Sequence, residues 1–217
     1  MKKQNQKNFY AAIRLLALFL LWTAASSLID VQAIGPLEST VGFAALNSLF
    51  HSLTGVHMFL YTITDWLSVI PLGFVTGFAC LGLVQWFQRK SLLKVDGSIL
   101  TLGVFYLVVM AAYLFFEVYV VNYRPVLIEG RLEASYPSST TMLVMCVMPT
   151  AMMQLNARIK NRTLRKCVAF VITAFTVFMI VGRLVSGVHW LTDIIGGALL
   201  SAGLVMMYRS VIAFEPK

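Results

Sequence analysis

Residues 98–121 read SILTLGVFYLVVMAAYLFFEVYVV, an apolar run of 24 residues with one charged side chain, Glu117. A transmembrane helix needs about 20 predominantly apolar residues, so this run is long enough to cross a bilayer. Over the whole chain, 59% of the 217 residues are hydrophobic and 12% are charged, and the mean hydropathy is +0.81. A soluble domain of this size is far more polar. The composition therefore predicts an integral membrane protein.

Runs of this kind recur along the chain, with no internal repeat or linker between them. They cover roughly residues 9–29, 66–87, 98–121, 140–157, 167–184 and 190–208. We therefore predict an all-α fold, a bundle of six transmembrane helices that forms a single membrane domain over residues 1–217.

Most basic residues lie between alternate spans, on one side of the predicted bundle. They are Lys2, Lys3, Lys7, Arg14, Arg89, Lys90, Lys94, Arg158, Lys160, Arg162, Arg165, Lys166, Arg209 and Lys217, 14 of the 17 lysines and arginines. The positive-inside rule assigns this side to the cytoplasm, so both termini are predicted to be cytoplasmic. The net charge of +8 is then a consequence of topology and of contact with anionic lipid, and it does not indicate nucleic-acid binding.

The outer side contains three arginines, Arg124, Arg131 and Arg183. An arginine at a membrane face is costly unless it pairs with or binds another group. In the external segment 122–139, Pro137 precedes a run of hydroxyl residues that predicts the start of the fourth spanning helix. The free N–H groups at such a helix start suit a phosphate.

The longest external segment, residues 30–65, contains two further features. Val41–Leu53 has apolar residues at helical spacing, which predicts a short helix in the membrane interface. Asp65 stands before Trp66 at the start of the second span. We interpret Asp65 as a helix cap and Trp66 as an interfacial anchor.

The candidate reactive group is a histidine near the C-terminus. His189 and Asp193 are four residues apart, so they can share one helix face, with the carboxylate fixing the tautomer of the ring. Arg183 lies six residues upstream and supplies a planar fork suited to phosphate. These three residues predict a histidine nucleophile directed at a phosphoryl group.

Three motifs, spread over about residues 58–210, resemble those of the type-2 phosphatidic acid phosphatase superfamily. The family's third motif is Ser-Arg-x5-His-x3-Asp, its second is Pro-Ser-Gly-His, and its first is Lys-x6-Arg-Pro. Here the corresponding residues are Gly182-Arg183-x5-His189-x3-Asp193, Pro137-Ser138-Ser139-Thr140, and Glu117-x6-Arg124-Pro125. The resemblance implies a metal-free phosphatase without a cofactor, located in the cytoplasmic membrane with its site facing outward.

The resemblance also implies a role for each matched residue. His189 would attack phosphorus and Asp193 would orient it, while phosphate oxygens would be held by Arg124, Arg183, Ser138 and, through its amide, Ser139. The implied function is dephosphorylation of a lipid phosphate or diphosphate through a phosphohistidine. Undecaprenyl diphosphate and phosphatidyl phosphates are the leading substrates, and the bilayer is the other partner.

Two residues depart from the family pattern. Thr140 stands where the family has a histidine that protonates the leaving group, and a threonine is not an effective general acid at neutral pH. Glu117 stands where the family has a lysine. An ionised Glu117 repels phosphate unless burial keeps it protonated or it pairs with Arg124 or Arg183.

Three interpretations of these departures remain open at this stage. Another acid can serve, and the candidates near the outer face are His51, His57, Glu117 and Glu133. Alternatively, the substrate is a diphosphate, whose phosphate leaving group needs less of the roughly 10²–10⁴-fold help that a general acid gives. The third interpretation is that the protein binds or transports lipid phosphates without hydrolysing them.

Overall fold

The computed structural model describes residues 2–212, with side chains from residue 4. The predicted cytoplasmic position of Lys217 lies outside the described residues. Within these residues there are eight α-helices: α1 Lys2–Leu28, α2 Ala44–Thr54, α3 Met58–Leu67, α4 Val69–Arg89, α5 Gly97–Val118, α6 Ser139–Arg158, α7 Arg162–Val185 and α8 Leu191–Ile212. The all-α prediction is correct except for a small antiparallel hairpin of β1 Gln32–Ala33 and β2 Thr40–Val41.

Within residues 2–212, five helical stretches are long and apolar enough to cross a membrane. They are Gln4–Leu28, Met58–Arg89, Gly97–Val118, Arg162–Val185 and Leu191–Ile212. The predicted span 140–157 corresponds to α6, which has 20 residues and is not among the five. Because α6 packs against α4, α5, α7 and α8, ten of its residues are buried, and a protein-facing helix tolerates more polar residues than a lipid-facing one. The six-span topology stays a prediction.

The second predicted span begins earlier in the structure than its apolar run indicated. The helical stretch starts at Met58 and is interrupted at Ser68, which separates α3 from α4. Pro71 explains the interruption, because it has no N–H and its ring clashes with the carbonyl four residues before it, at Leu67. Asp65 therefore lies within a helix that begins before residue 66, and the position at which the second span enters the membrane stays a prediction.

The two faces of the bundle carry different groups. At one face, Arg89 at the end of α4 and Arg158 at the end of α6 approach Asp96 at the start of α5, over 2.9 and 3.9 Å. At the other, the loop 122–138 and the turn 186–190 meet. We call this second face the site face. The prediction assigns it to the outside of the cell.

The segment 30–65, predicted to be external, packs over the site face. Asp30 caps α2, because its carboxylate accepts a hydrogen bond from the Ala45 amide over 2.7 Å. The buried Asn47 of α2 contacts Thr192 in the first turn of α8 over 3.0 Å. The predicted helix in this segment is thus confirmed, and it leaves Leu49 and Leu53 exposed.

Candidate active site

The loop 122–138, which is held in place by hydrogen bonds, forms one wall of the site. Backbone hydrogen bonds join Arg124 to Glu133 (3.0 Å) and Ser135 to Asn122 (2.9 Å), so the two ends of the loop 122–138 run side by side. The indole of Trp190 donates to the Tyr123 carbonyl over 2.7 Å. These contacts hold the loop against the turn that carries His189.

His189 is buried and is contacted at both ring nitrogens. Its side chain is 1% exposed. Nη1 of Arg124 lies 3.3 Å from Nε2, and Oγ of Ser135 lies 3.0 Å from Nδ1. The ring therefore faces a guanidinium on one side and a hydroxyl on the other.

Asp193 is held by three donors but does not bond His189 directly. Its Oδ2 lies 3.9 Å from Nδ1, which is beyond hydrogen-bond distance. Instead, Oδ2 accepts from the Ser135 hydroxyl over 2.5 Å and from the Trp190 amide over 2.9 Å. Oδ1 accepts from the Asn122 amide group over 3.0 Å. The structure thus inserts a serine into the predicted His189–Asp193 pair, and nothing in the local sequence pattern indicated this.

The environment of His189 favours its neutral form. Burial, followed by the positive charges of Arg124 and Arg183, lowers the pKa of His189 well below its usual value. Neutral imidazole has a lone pair on one ring nitrogen, which a nucleophile requires.

Arg183 lies beside this centre with part of its guanidinium unpaired. The side chain is 2% exposed, and its Nη2 donates to Asp65 Oδ1 over 2.8 Å. Nη2 also donates to Thr140 Oγ1 over 2.5 Å. Nε and Nη1 of Arg183 are buried without a hydrogen-bond partner. Asp65, which was interpreted as a cap, instead neutralises this arginine through a contact that spans 118 positions of sequence.

Arg124 has a similar arrangement. Its Nε lies 3.1 Å from Glu133 Oε2, an ion pair that lacks hydrogen-bond alignment. The ring of Tyr61 lies under both guanidinium groups, with its centroid 4.7 Å from Cζ of Arg183 and 5.9 Å from Cζ of Arg124. Two buried cations therefore share one aromatic platform next to His189.

The start of α6 forms the remaining wall. Ser138 is the N-cap residue, and its Oγ accepts from the Thr141 amide over 3.5 Å. The helix start predicted after Pro137 is confirmed. The Ser138 amide donates to the Asp193 carbonyl over 3.1 Å, whereas Ser139 lines a cavity together with Asp65 and Thr140.

The candidate substitute acids have different hydrogen-bond partners. Thr140 contacts Arg183. Nε2 of His51 is bonded to the Gly187 carbonyl over 3.2 Å, and Nε2 of His57 to the Thr54 carbonyl over 2.8 Å. Glu117 is exposed at the end of α5. The ion pairs proposed for Glu117 are made by Glu133 and Asp65 instead.

Within residues 2–212, no three His, Cys, Asp or Glu side chains lie close enough together to hold a metal ion.

An apolar groove leads away from the site between α4 and α5. Its first part has a volume of about 380 Å³ and begins at Asp65, Ser139 and Thr140. A second part of about 610 Å³ continues as far as Leu92 and Val95, near the opposite face. Val75, Tyr106 and Met110 line both parts, so the two parts adjoin at these side chains.

Comparison with known proteins decides the family. Residues 39–215 match the family model of the PAP2 superfamily. The chain belongs to the PAP2 superfamily. This match extends beyond the region of about residues 58–210 over which the motifs resemble the family, and it includes α2. Comparison with curated protein sequences finds no match.

A solved PAP2 structure has a similar fold. It is the crystal structure of a transmembrane PAP2-type phosphatidylglycerolphosphate phosphatase from Bacillus subtilis, with a TM-score of 0.61 and 20% sequence identity. The match covers 96% of this chain and 98% of that one. At this identity the likeness concerns the fold, and the substrate of the Bacillus protein is not carried over.

Proposed function

We propose that this PAP2 protein is a membrane phosphatase that removes a phosphoryl group from a lipid phosphate or diphosphate through a phosphohistidine at His189. The observation that carries the proposal is the arrangement at Nε2. A buried imidazole has this nitrogen directed at Arg124 over 3.3 Å, and Arg183 has two buried, unpartnered nitrogens beside it.

The nucleophile follows from the hydrogen bonds of the ring. Asp193 accepts from the Ser135 hydroxyl, so the serine oxygen accepts from Nδ1–H and the lone pair is on Nε2. Nε2 attacks phosphorus, and the bond from phosphorus to the leaving oxygen breaks. Water then attacks the phosphohistidine, which releases inorganic phosphate and returns the ring to its starting state.

The arginines supply charge for the transferred group. Phosphoryl transfer depends mainly on positioning and on neutralising the equatorial oxygens. Nε and Nη1 of Arg183 are buried without partners among the protein atoms, so an anion that binds them offsets the cost of burying these donors. Arg124 contacts Nε2 and, by turning to a phosphate oxygen, would uncover the lone pair.

The leaving-group side favours a diphosphate. Thr140 accepts from Arg183, and a threonine does not supply a proton at neutral pH. A leaving phosphate is far less basic than an alkoxide, so it departs without this help. Undecaprenyl diphosphate is therefore our first proposed substrate type, and phosphatidyl phosphates are the second.

The groove supports a lipid substrate. Its first part begins at Asp65 and Thr140, both of which contact Arg183, and is lined by α4, α5 and α6. Its second part continues between α4 and α5 nearly to the opposite face. Such a groove can hold a long hydrocarbon tail while the head group lies at the arginines. The distribution of basic residues supports a site at the outer face of the cytoplasmic membrane.

The test is phosphate release by purified protein in detergent, with undecaprenyl diphosphate and phosphatidic acid compared. We expect release from the diphosphate to exceed release from phosphatidic acid, and to be abolished by His189→Ala. The control is Ser201→Ala, because Ser201 is buried away from the site residues and its hydroxyl donates to the Met142 carbonyl. This variant should retain activity. Substrate that carries a radioactive phosphoryl group should leave an acid-labile label on the protein. Loss of this label in His189→Ala would identify the phosphohistidine.

One observation favours the alternative of binding or transport without hydrolysis. Each arginine is already paired with a carboxylate, Asp65 or Glu133, which weakens the electrostatic stabilisation of a transition state. Under this alternative, neither substrate releases phosphate, and lipid binding is lost in Arg124→Gln and Arg183→Gln. Arg131→Gln is the matched control, because Arg131 is exposed on the same loop.

A further inference from the structure

We propose that Ser135 is a positioning residue that couples Asp193 to His189 and sets the tautomer of the nucleophile. The proposal deepens the proposed function, because it names the group through which the carboxylate acts. Its first part, the tautomer, can be measured without substrate and does not depend on turnover.

The distances leave the serine as the connection. Nδ1 of His189 is 3.9 Å from Asp193 Oδ2, which is too far for a hydrogen bond. Ser135 Oγ lies 3.0 Å from Nδ1 and 2.5 Å from Oδ2. An ionised carboxylate only accepts hydrogen bonds, so the hydroxyl proton points to Asp193. The serine lone pair then accepts from Nδ1–H.

Ser135 is fixed on both sides. Its backbone amide donates to the Asn122 carbonyl over 2.9 Å, and the Asn122 side chain holds the other carboxylate oxygen over 3.0 Å. The following residue, Tyr136, is buried and its hydroxyl lies 2.6 Å from Thr23 Oγ1 of α1. The loop thus presents both the serine and the asparagine to the two oxygens of Asp193.

The ring gains positive charge when Nε2 binds phosphorus. Nδ1–H is then a stronger donor, and the serine transmits the charge of Asp193 to it. Without the hydroxyl, Nδ1–H faces a gap beside a carboxylate it does not reach. Arg124 contacts Nε2 as a donor over 3.3 Å; once it turns to a phosphate oxygen, the proton moves to Nε2 in part of the molecules, and those molecules have no lone pair toward phosphorus.

The tautomer of His189 and the turnover of substrate can be measured separately. Nitrogen NMR of labelled histidine reports the protonated ring nitrogen, and the three histidines of the chain are distinguished through His51→Gln and His57→Gln. In the wild type we expect the His189 proton on Nδ1. In Ser135→Ala combined with Arg124→Gln, which removes the donor at Nε2, we expect a shift toward Nε2–H relative to Arg124→Gln alone. In Ser135→Ala alone we expect a fall in kcat of about 10–100-fold, the size of effect that follows the loss of a hydrogen-bond partner orienting a metal-ligating histidine. KM should change little.

Three further variants keep the test decisive. Ser135→Thr retains a hydroxyl and should preserve the tautomer and recover most of kcat. Ser135→Cys, with a weaker hydrogen bond, should give intermediate values and serves if the alanine variant does not fold. Ser201→Ala is the matched control, because Ser201 is also buried and its hydroxyl binds a backbone carbonyl, at Met142. It should leave the tautomer and kcat unchanged.

The outcomes separate the two proposals. If Ser135→Ala leaves the tautomer unchanged in the Arg124→Gln background, or if Ser135→Ala has the kcat of an active wild type, the role of Ser135 is refuted. The same holds if Ser135→Cys cannot be distinguished from the wild type. If the tautomer shifts as expected but the wild type releases no phosphate, the role in positioning stands and the proposed phosphatase activity fails.

Discussion

A close contact between α3 and α7 allows a quantitative test of how the site is assembled. A Cβ added at Gly182 would lie 2.7 Å from Cγ2 of Thr64. The next residue in each helix is a member of the Asp65–Arg183 ion pair, whose atoms are 2.8 Å apart. The absence of a side chain at residue 182 therefore permits the approach that brings the carboxylate onto the arginine. The perturbation is Gly182→Ala.

The magnitude follows from the geometry. Ordinary van der Waals contact begins at 3.4 Å, so the neighbours must give way by about 0.7 Å. The Thr64 methyl cannot rotate freely, because the hydroxyl on the same carbon is bonded to the Leu60 and Tyr61 carbonyls, each over 2.9 Å. Overpacking of this kind costs about 1–3 kcal/mol. For a chain of this length, each 1 kcal/mol shifts Tm by about 2–4 °C, so we expect a fall in Tm of about 2–12 °C.

Thermal unfolding in detergent measures this effect, and a second substitution tests its cause. Thr64→Ser removes the contacting methyl and keeps the hydroxyl, so Gly182→Ala combined with Thr64→Ser should regain most of the lost Tm. Gly77→Ala is the control, because a Cβ there meets nothing within 4 Å. It should not lower Tm. An unchanged Tm in Gly182→Ala, or an equal loss with and without Thr64→Ser, would refute the reasoning.

Three further predictions concern activity. Burial and the two arginines lower the pKa of His189, so Arg124→Gln removes one cause and should move the acid limb of the pH profile of kcat/KM to higher pH. Tyr61→Phe retains the ring under both guanidinium groups and should be nearly as active as the wild type. Tyr61→Ala loses a contact of about 0.5–2 kcal/mol, and its kcat/KM should fall by about 2–30-fold. Thr140→His introduces a candidate acid on the leaving-group side, so the ratio of phosphatidic acid hydrolysis to diphosphate hydrolysis should rise; a constant ratio would argue against the leaving-group explanation.

Sequence patterns predicted most of the helices, because apolar length is a local property. The run 98–121 corresponds to α5, Gly97–Val118, and the hydroxyl run after Pro137 marks the start of α6. The exception is α3, where a charged residue within the helix hid its extent. Asp65 is tolerated there because Arg183 neutralises it, and this partner belongs to another helix.

The partners of the predicted site residues were not accessible from the sequence. His189, Asp193, Arg124 and Arg183 were predicted as a group because their spacing is local or matches family motifs. Ser135 stands 58 positions from the carboxylate that it contacts, and no periodicity relates the two. Which carboxylate neutralises each arginine likewise depends on how helices pack. Tertiary contacts of this kind have no local signature.

The groove between α4 and α5 has a consequence for kinetics. A substrate whose tail stays among the bilayer hydrocarbons meets the protein by diffusing in two dimensions. The quantity that governs its encounter rate is then its mole fraction in the membrane or micelle, and the bulk concentration has no direct influence. At fixed total lipid phosphate, added inert detergent lowers the mole fraction of substrate in the micelle and should therefore lower the rate of turnover. Measured KM values therefore carry meaning only as surface fractions.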